Sequence, residues 1–169
     1  ALDAAVGGLT EIQIDIAANA DDVLQVATDL FPNFTAAGML FTSEYEAGLR
    51  FQSVAVPQSA TIVSATLTLN ITSVNGSPET TVYGVDVDDA AAWAAPGNLP
   101  GNATTTTESS PGPTATGSQQ IDVTAIVQEI VGRGGWTSGN DMAFVVLNDK
   151  ALLNQDHTWF AEDLNDAGG

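Results

Sequence analysis

The chain has 169 residues, 44% of them hydrophobic, and sets 21 acidic residues against 3 basic ones for a net charge of −18. This length suits one domain with a real core. Arg50, Arg133 and Lys150 are too few and too scattered to neutralise phosphates, which argues against nucleic acid as a partner, and the same charge disfavours anionic membrane surfaces. No apolar run is long enough to span a bilayer, so no membrane insertion is expected, and the absence of cysteine removes disulfides, thiolate metal sites and cysteine nucleophiles.

Period-two alternation dominates the pattern. Ile12, Ile14 and Ile16 predict a strand over residues 11–16, with further strands over 23–27 and 39–42 and a loop around Pro32. The strongest signal spans residues 48–71. Leu49 and Phe51 alternate with Arg50 and Gln52, Val54 and Val56 run into Pro57, and Ala65, Leu67, Leu69 and Ile71 hold every second position. This reads as two strands joined by a proline-containing turn. Asn75-Gly76-Ser77-Pro78 is a turn, and residues 80–87 form a strand with Tyr83, Val85 and Val87 on one face.

Residues 95–118 turn to Gly, Pro, Thr, Ser and Asn, which reads as a long surface loop holding at most a short edge strand at 104–107. Val123, Ile126, Val127, Ile130 and Val131 then make one helical stripe, with Asp122 placed to cap its start and Gly132, Gly134 and Gly135 to stop it. Residues 143–147 read as a strand buried on both faces, 157–162 as a last strand and 163–169 as a tail. The sum is a single domain over residues 1–169: an all-β jelly-roll β-sandwich of two antiparallel sheets with one short α-helix at about 123–131.

The segments GLRFQSVAVPQSATIVSATLTL, VYGVDVDDAAAW, IDVTAIVQEIVGRGGWTSGNDMAFVV and WFAEDLNDAGG, in that order, resemble the DNRLRE-type and carbohydrate-binding-module-like jelly-roll modules of extracellular and phage virion proteins. The resemblance covers most of the chain from Leu49 onward. It implies a usually non-catalytic module outside the cell, on a cell surface or on a virion, with a structural calcium in many members. Two departures stand out. Residues 104–119 lack the aromatic that the class often carries there, and the final apolar strand of the class pattern has no counterpart before Gly169. The second departure reads either as a shortened sequence or as a strand supplied by a neighbour, since an open sheet edge is a template for another strand.

The candidate chemistry is sparse. His157 is the only histidine and starts a predicted strand, and no nucleophile elbow is present, so a non-enzymatic chain is expected. Hard cations take carboxylate and carbonyl oxygens from loops, so Asp86, Asp88 and Asp89, with Asp22 and Asp163 elsewhere, are the candidate calcium ligands; the alternative is a solvated acidic face. A glycan needs exposed rings to stack on, which nominates Trp93 first, then Tyr45 and Trp159; Trp136, just after the helix, reads as packing. Arg50, a lone cation among so many acids, is expected to pair with a carboxylate in a structural role. The expected function is a structural or assembly module with protein neighbours in a self-assembly or virion, and the alternative is a carbohydrate-binding module for glycans.

Overall fold

A computed structural model of the chain describes residues 1–6, 10–18, 21–26, 29–32, 39–41, 45–76, 79–93, 103–148 and 158–161. The strands in chain order are β1 (Leu2–Val6), β2 (Thr10–Ile14), β3 (Asp22–Val26), β4 (Asp29–Pro32), β5 (Met39–Phe41), β6 (Tyr45–Phe51), β7 (Ile62–Asn75), β8 (Glu79–Val85), β9 (Ala103–Pro111), β10 (Gly117–Asp122), β11 (Met142–Asn148) and β12 (Thr158–Ala161). One helix, α1 (Thr124–Val131), stands between β10 and β11.

Among the described residues the strands make two six-stranded antiparallel sheets. The first is organised by the long β7. β10 lies along one side of it; on the other side β1 takes the half from Ile62 to Leu67 and β12 the half from Ile71 to Asn75, with β2 outside β1 and β5 outside β12. The second sheet has the order β4-β3-β6-β11-β8-β9. From β5 onward the pairing is nested: β5 with β12, β6 with β11, β7 with β10 and β8 with β9.

Alternation places the core. Ala65, Leu67, Leu69 and Ile71 of β7 and Leu2 and Ala4 of β1 face Ala47, Leu49 and Phe51 of β6 and Phe144 and Val146 of β11, all buried in one cluster. Removing each large side chain from water contributes about 1.5–3 kcal/mol. Phe51 and Phe144 meet edge to face at 5.9 Å and 71°. The chain is thus an all-β sandwich with one short helix, as its periodicity predicts.

The strands on either side of Pro57 do not pair with each other: β6 lies in the second sheet and β7 in the first, and residues 52–61 cross between them. Val54 and Val56 are buried in this crossing, and Trp136 closes it by donating Nε1–H to the Val56 carbonyl at 2.9 Å. The loop expected over 95–118 needs correction as well. Ala103–Pro111 is a nine-residue strand on β8 and Gly117 and Ser118 already belong to β10, while 94–102 lie outside the described residues. The β-branched threonines at 104–107 suit a pleated edge, and Thr104 is buried with its Oγ1 accepting the Gly84 N–H at 3.0 Å.

Helix α1 has its predicted bounds to within one residue, with Ile126, Val127, Ile130 and Val131 buried. The N-cap is Val123 and not Asp122, which accepts the Thr124 N–H at 2.8 Å from one residue earlier; hydrogen bonding from the Thr124 side chain and then from its N–H lowers the Asp122 carboxyl pKa. The helix also completes the edge of β7 where β10 stops. Thr124 Oγ1 accepts the Ala65 N–H at 2.8 Å; Gln128, one turn later, accepts the Ile62 N–H with Oε1 at 2.9 Å and donates Nε2–H to the Ala60 carbonyl at 3.0 Å. Two side chains at i and i+4 thus replace a strand's ladder. Gly84 lets the helix lie close on β8, since a Cβ there would sit 2.7 Å from both Ile126 Cγ2 and Ile130 Cδ1. Gln128→Leu keeps the packing but leaves the Ile62 N–H and the Ala60 carbonyl without their partner. It is expected to cost about 1–3 kcal/mol in urea unfolding; a loss below ~0.5 kcal/mol would deny Gln128 this edge role.

Candidate functional site

The middle of the second sheet, around β11, is buried on both faces. Phe144 and Val146 of β11 point into the sandwich, while Ala143 and Val145 point outward into a separate cluster with Val23, Val85 and Ala90. Tyr83, Val87, Trp93 and Leu147 pack against that cluster. Residues 86–93 therefore form a strap across the outer face of this sheet. The charged residues singled out in the sequence converge on the strap.

Arg50 is the centre. Its inner neighbours Leu49 and Phe51 are buried in the core, so alternation sends the guanidinium to the strap side. Nε–H donates to the Ala90 carbonyl at 2.8 Å, Nη1 pairs with Asp21 Oδ1 and Nη2 with Asp141 Oδ2. Asp21, 1% exposed, also accepts Gln52 Nε2–H on Oδ2 at 2.6 Å, and its carbonyl accepts the Arg50 N–H at 2.6 Å. Asp141 accepts the Ser53 N–H on Oδ1 at 2.7 Å, donates its N–H to Asp89 Oδ1 at 2.8 Å and accepts the Ala90 N–H on its carbonyl at 2.9 Å. Ser53 has φ 56°, a left-handed conformation that a non-glycine residue adopts at a cost, and the Asp141 bond holds it there.

A second tie fastens the start of the strap. Arg133, just past α1, donates Nε–H to Asp88 Oδ1 at 2.7 Å and pairs Nη1 with Asp86 Oδ1; the Asp88 bond, with Asp86 adding to it, raises the guanidinium pKa. Asn140 Nδ2–H donates to the Asp88 carbonyl at 2.9 Å. Gly135 lies against the same carboxylate, where a Cβ would fall 2.0 Å from Asp88 Oδ2, so a larger residue there would have to push Asp88 away from Arg133.

The predicted site residues divide accordingly. Of the calcium candidates, Asp86 and Asp88 face Arg133, Asp89 accepts a backbone N–H, Asp22 is buried at the start of β3, and Asp163 lies outside the described residues. Among the described residues no three His, Asp or Glu side chains gather to hold a metal ion. Of the glycan candidates, Trp93 is half-buried on the outer cluster and donates Nε1–H to the Asp21 carbonyl at 3.1 Å, which makes it part of the strap's anchorage. Tyr45 opens β6 and Trp159 lies in β12 opposite Val74 and Phe41; their side chains, like His157, lie outside what is described. The structural role expected of Arg50 is the one it has. Its partner Asp141 had no local signal, because it lies 91 residues away in sequence.

On the opposite side of the molecule, the outer face of the first sheet carries a shallow cleft of about 310 Å³ lined by Asp3, Ala5, Glu11, Ser64, Thr66 and Gln120. Ala5 lies between Glu11 and Ser64 in register, so its methyl leaves the hollow between longer neighbours. A bulge beside it, where Ala5 pairs with Ser64 but Val6 with Ile62, leaves Val63 as the extra residue, 66% exposed at the rim. Hydroxyl, amide and carboxylate groups in this hollow suit a neutral polar ligand and repel anions. Comparison with protein-family models, curated proteins and solved structures finds no match for this chain.

The ties around Arg50 generate a stability prediction. Arg50→Met keeps the stem but leaves the buried Asp21 carboxylate uncompensated, at an expected cost of about 3–5 kcal/mol in urea unfolding at neutral pH. Arg50→Lys recovers little of this, because an ammonium cannot fork between Asp21 and Asp141. A loss under ~1 kcal/mol for Arg50→Met would mean that the pair is not what holds the strap.

Proposed function

We propose that this chain is a non-enzymatic structural and assembly module, exposed on an extracellular surface or a virion as a decorating, fibre or filament subunit. One observation carries the reading: the acids of the 86–89 segment, the main candidates for cation chemistry, are spent with Asp21 and Asp141 on holding the chain to itself. Asp21, Asp86, Asp88 and Asp141 take Arg50 and Arg133, and Asp89 takes a backbone N–H. A second face of the sandwich is sealed by this means, which suits a rigid building block better than a site that must admit a substrate. The nested pairing of β5 through β12 is the wrapping of a rolled-up antiparallel ribbon, and on this reading the fold is a jelly roll. It agrees with the resemblance of the segments from Leu49 onward to DNRLRE-type modules.

The acidic surface supports the same reading. Two of the three basic residues are tied up in ion pairs with carboxylates, so the uncompensated charge presented to solvent is almost wholly negative, which keeps the free subunit soluble. Repulsion between copies is screened within ~10 Å at 0.1 M salt, so assembly is expected to strengthen as salt rises. Sedimentation and negative-stain microscopy across a salt series check this. Ordered particles or a growing oligomer fraction at higher salt are the expected outcome. A monomer at every salt and concentration, combined with binding to a neutral glycan, would transfer the function to glycan recognition with the Asp3–Glu11–Gln120 cleft as its site.

A further inference from the structure

The assembly reading leaves open which surface meets a neighbour, and the charge distribution narrows it. The sequence has no charged residue from Phe51 to Pro78 or from Ser109 to Ile121, in a chain of net charge −18. These two stretches contain β7 and all of β10 but its last residue, which are neighbours in the first sheet. Their outward row, Asn70 beside Ser118 and Thr68 beside Gln120, is neutral and polar.

β10 is also an open edge. Among the described residues its backbone pairs with β7 alone, and the one bond along the strand's own edge is Gln119 Nε2–H turned back onto the Ser118 carbonyl at 3.1 Å. Of the other described edges, β5 (Met39–Phe41) is only three residues long and apolar, so it offers less ladder than β10, and the remaining three are guarded. β2 carries Glu11, β4 has Asp29 at its start and Pro32 at its end, and β9 contains Glu108 and Pro111.

We propose that a second copy of this chain docks on β10, edge to edge and antiparallel, so that the two first sheets run on as one. This inference rests on the assembly reading and adds the surface to it. The strand is self-complementary. Centred on Gln119, the pairing sets Gln119 against its equivalent, Ser118 against Gln120 of the second copy and Gly117 against Ile121 of the second copy, so inward residues meet inward ones and outward meet outward. The one charge on the strand, Asp122, then lies six positions along from its equivalent, about 20 Å at ~3.3 Å per residue and beyond the ~8 Å screening length of physiological salt. A two-fold contact here brings no like charges together, which few surfaces of so acidic a chain allow. The six-residue edge is short, so the contact belongs to the weak class of interface.

Register-specific charges test this by analytical ultracentrifugation, with thermal unfolding to check that these exposed positions leave the fold intact. Ser118→Glu with Gln120→Glu places two pairs of carboxylates face to face and is expected to weaken the dimer tenfold or more. Ser118→Glu with Gln120→Lys places opposite charges in the same positions and restores it. Wild-type dimers indifferent to the paired glutamates, or weakened by them without rescue by lysine, overturn pairing through β10 while leaving assembly through another surface in place. A wild-type chain that stays monomeric to millimolar concentration at high salt overturns both.

Discussion

The Arg50 guanidinium, forked between Asp21 and Asp141 and bonded to the Ala90 carbonyl, is the contact on which the strap side of the molecule depends. It joins the lead-in to β3, the end of β6, the lead-in to β11 and the strap at one point. Each participant is fixed in turn by backbone bonds: Asp21 by Arg50 and Trp93, Asp141 by Ser53, Asp89 and Ala90. A part-buried charge trio of this kind is costly to desolvate and is held by its full set of partners; removing the cation costs more than never having had the trio. That asymmetry explains how a chain with so few cations places two of them here and at Arg133.

The consequence is a sandwich with two apolar clusters in place of one. The main core lies between the sheets, α1 closes its side through Gly84 and the β7 edge, and the strap seals the outer face of the second sheet over Val23, Val85, Ala143 and Val145. The outer face of the first sheet carries no such cover among the described elements; it holds the polar cleft and the neutral β10 edge. The two faces thus differ in kind, one spent on stability and the other open to a neighbour or a small polar ligand.

Much of this was legible in the residues where a single periodicity decides the outcome. The Ala65–Leu67–Leu69–Ile71 alternation, the Ile126–Val127–Ile130–Val131 stripe and the doubly buried run from Ala143 to Val146 each settle a local structure and its buried face. Sequence pattern fails where the answer is non-local. Pro57 marks a change of direction but not that β6 and β7 part into different sheets. The Thr-rich β9 has loop-like composition and becomes a strand because β8 supplies its ladder. Leu2–Val6 is short and alanine-rich, and becomes a strand because β7 extends past β12 and offers a free half-edge. Trp93 reads as exposed in the sequence, since nothing near it foretells that the Asp21 carbonyl waits for its indole N–H. The acids at 86–89 resemble a cation site until Arg133 is placed among them.

The central claim is that the strap is part of the folded core and not a loop laid over it. Native-state hydrogen exchange of the Val87 and Ala90 amides tests this most directly, since they donate from the strap to the carbonyls of Val85, at the end of β8, and Asp141, just before β11. The account predicts that both exchange only through the same global unfolding that exposes the Phe144 and Val146 amides of β11, with matching free energies and denaturant dependence. Exchange orders of magnitude faster, through a local opening that leaves β11 protected, would contradict it.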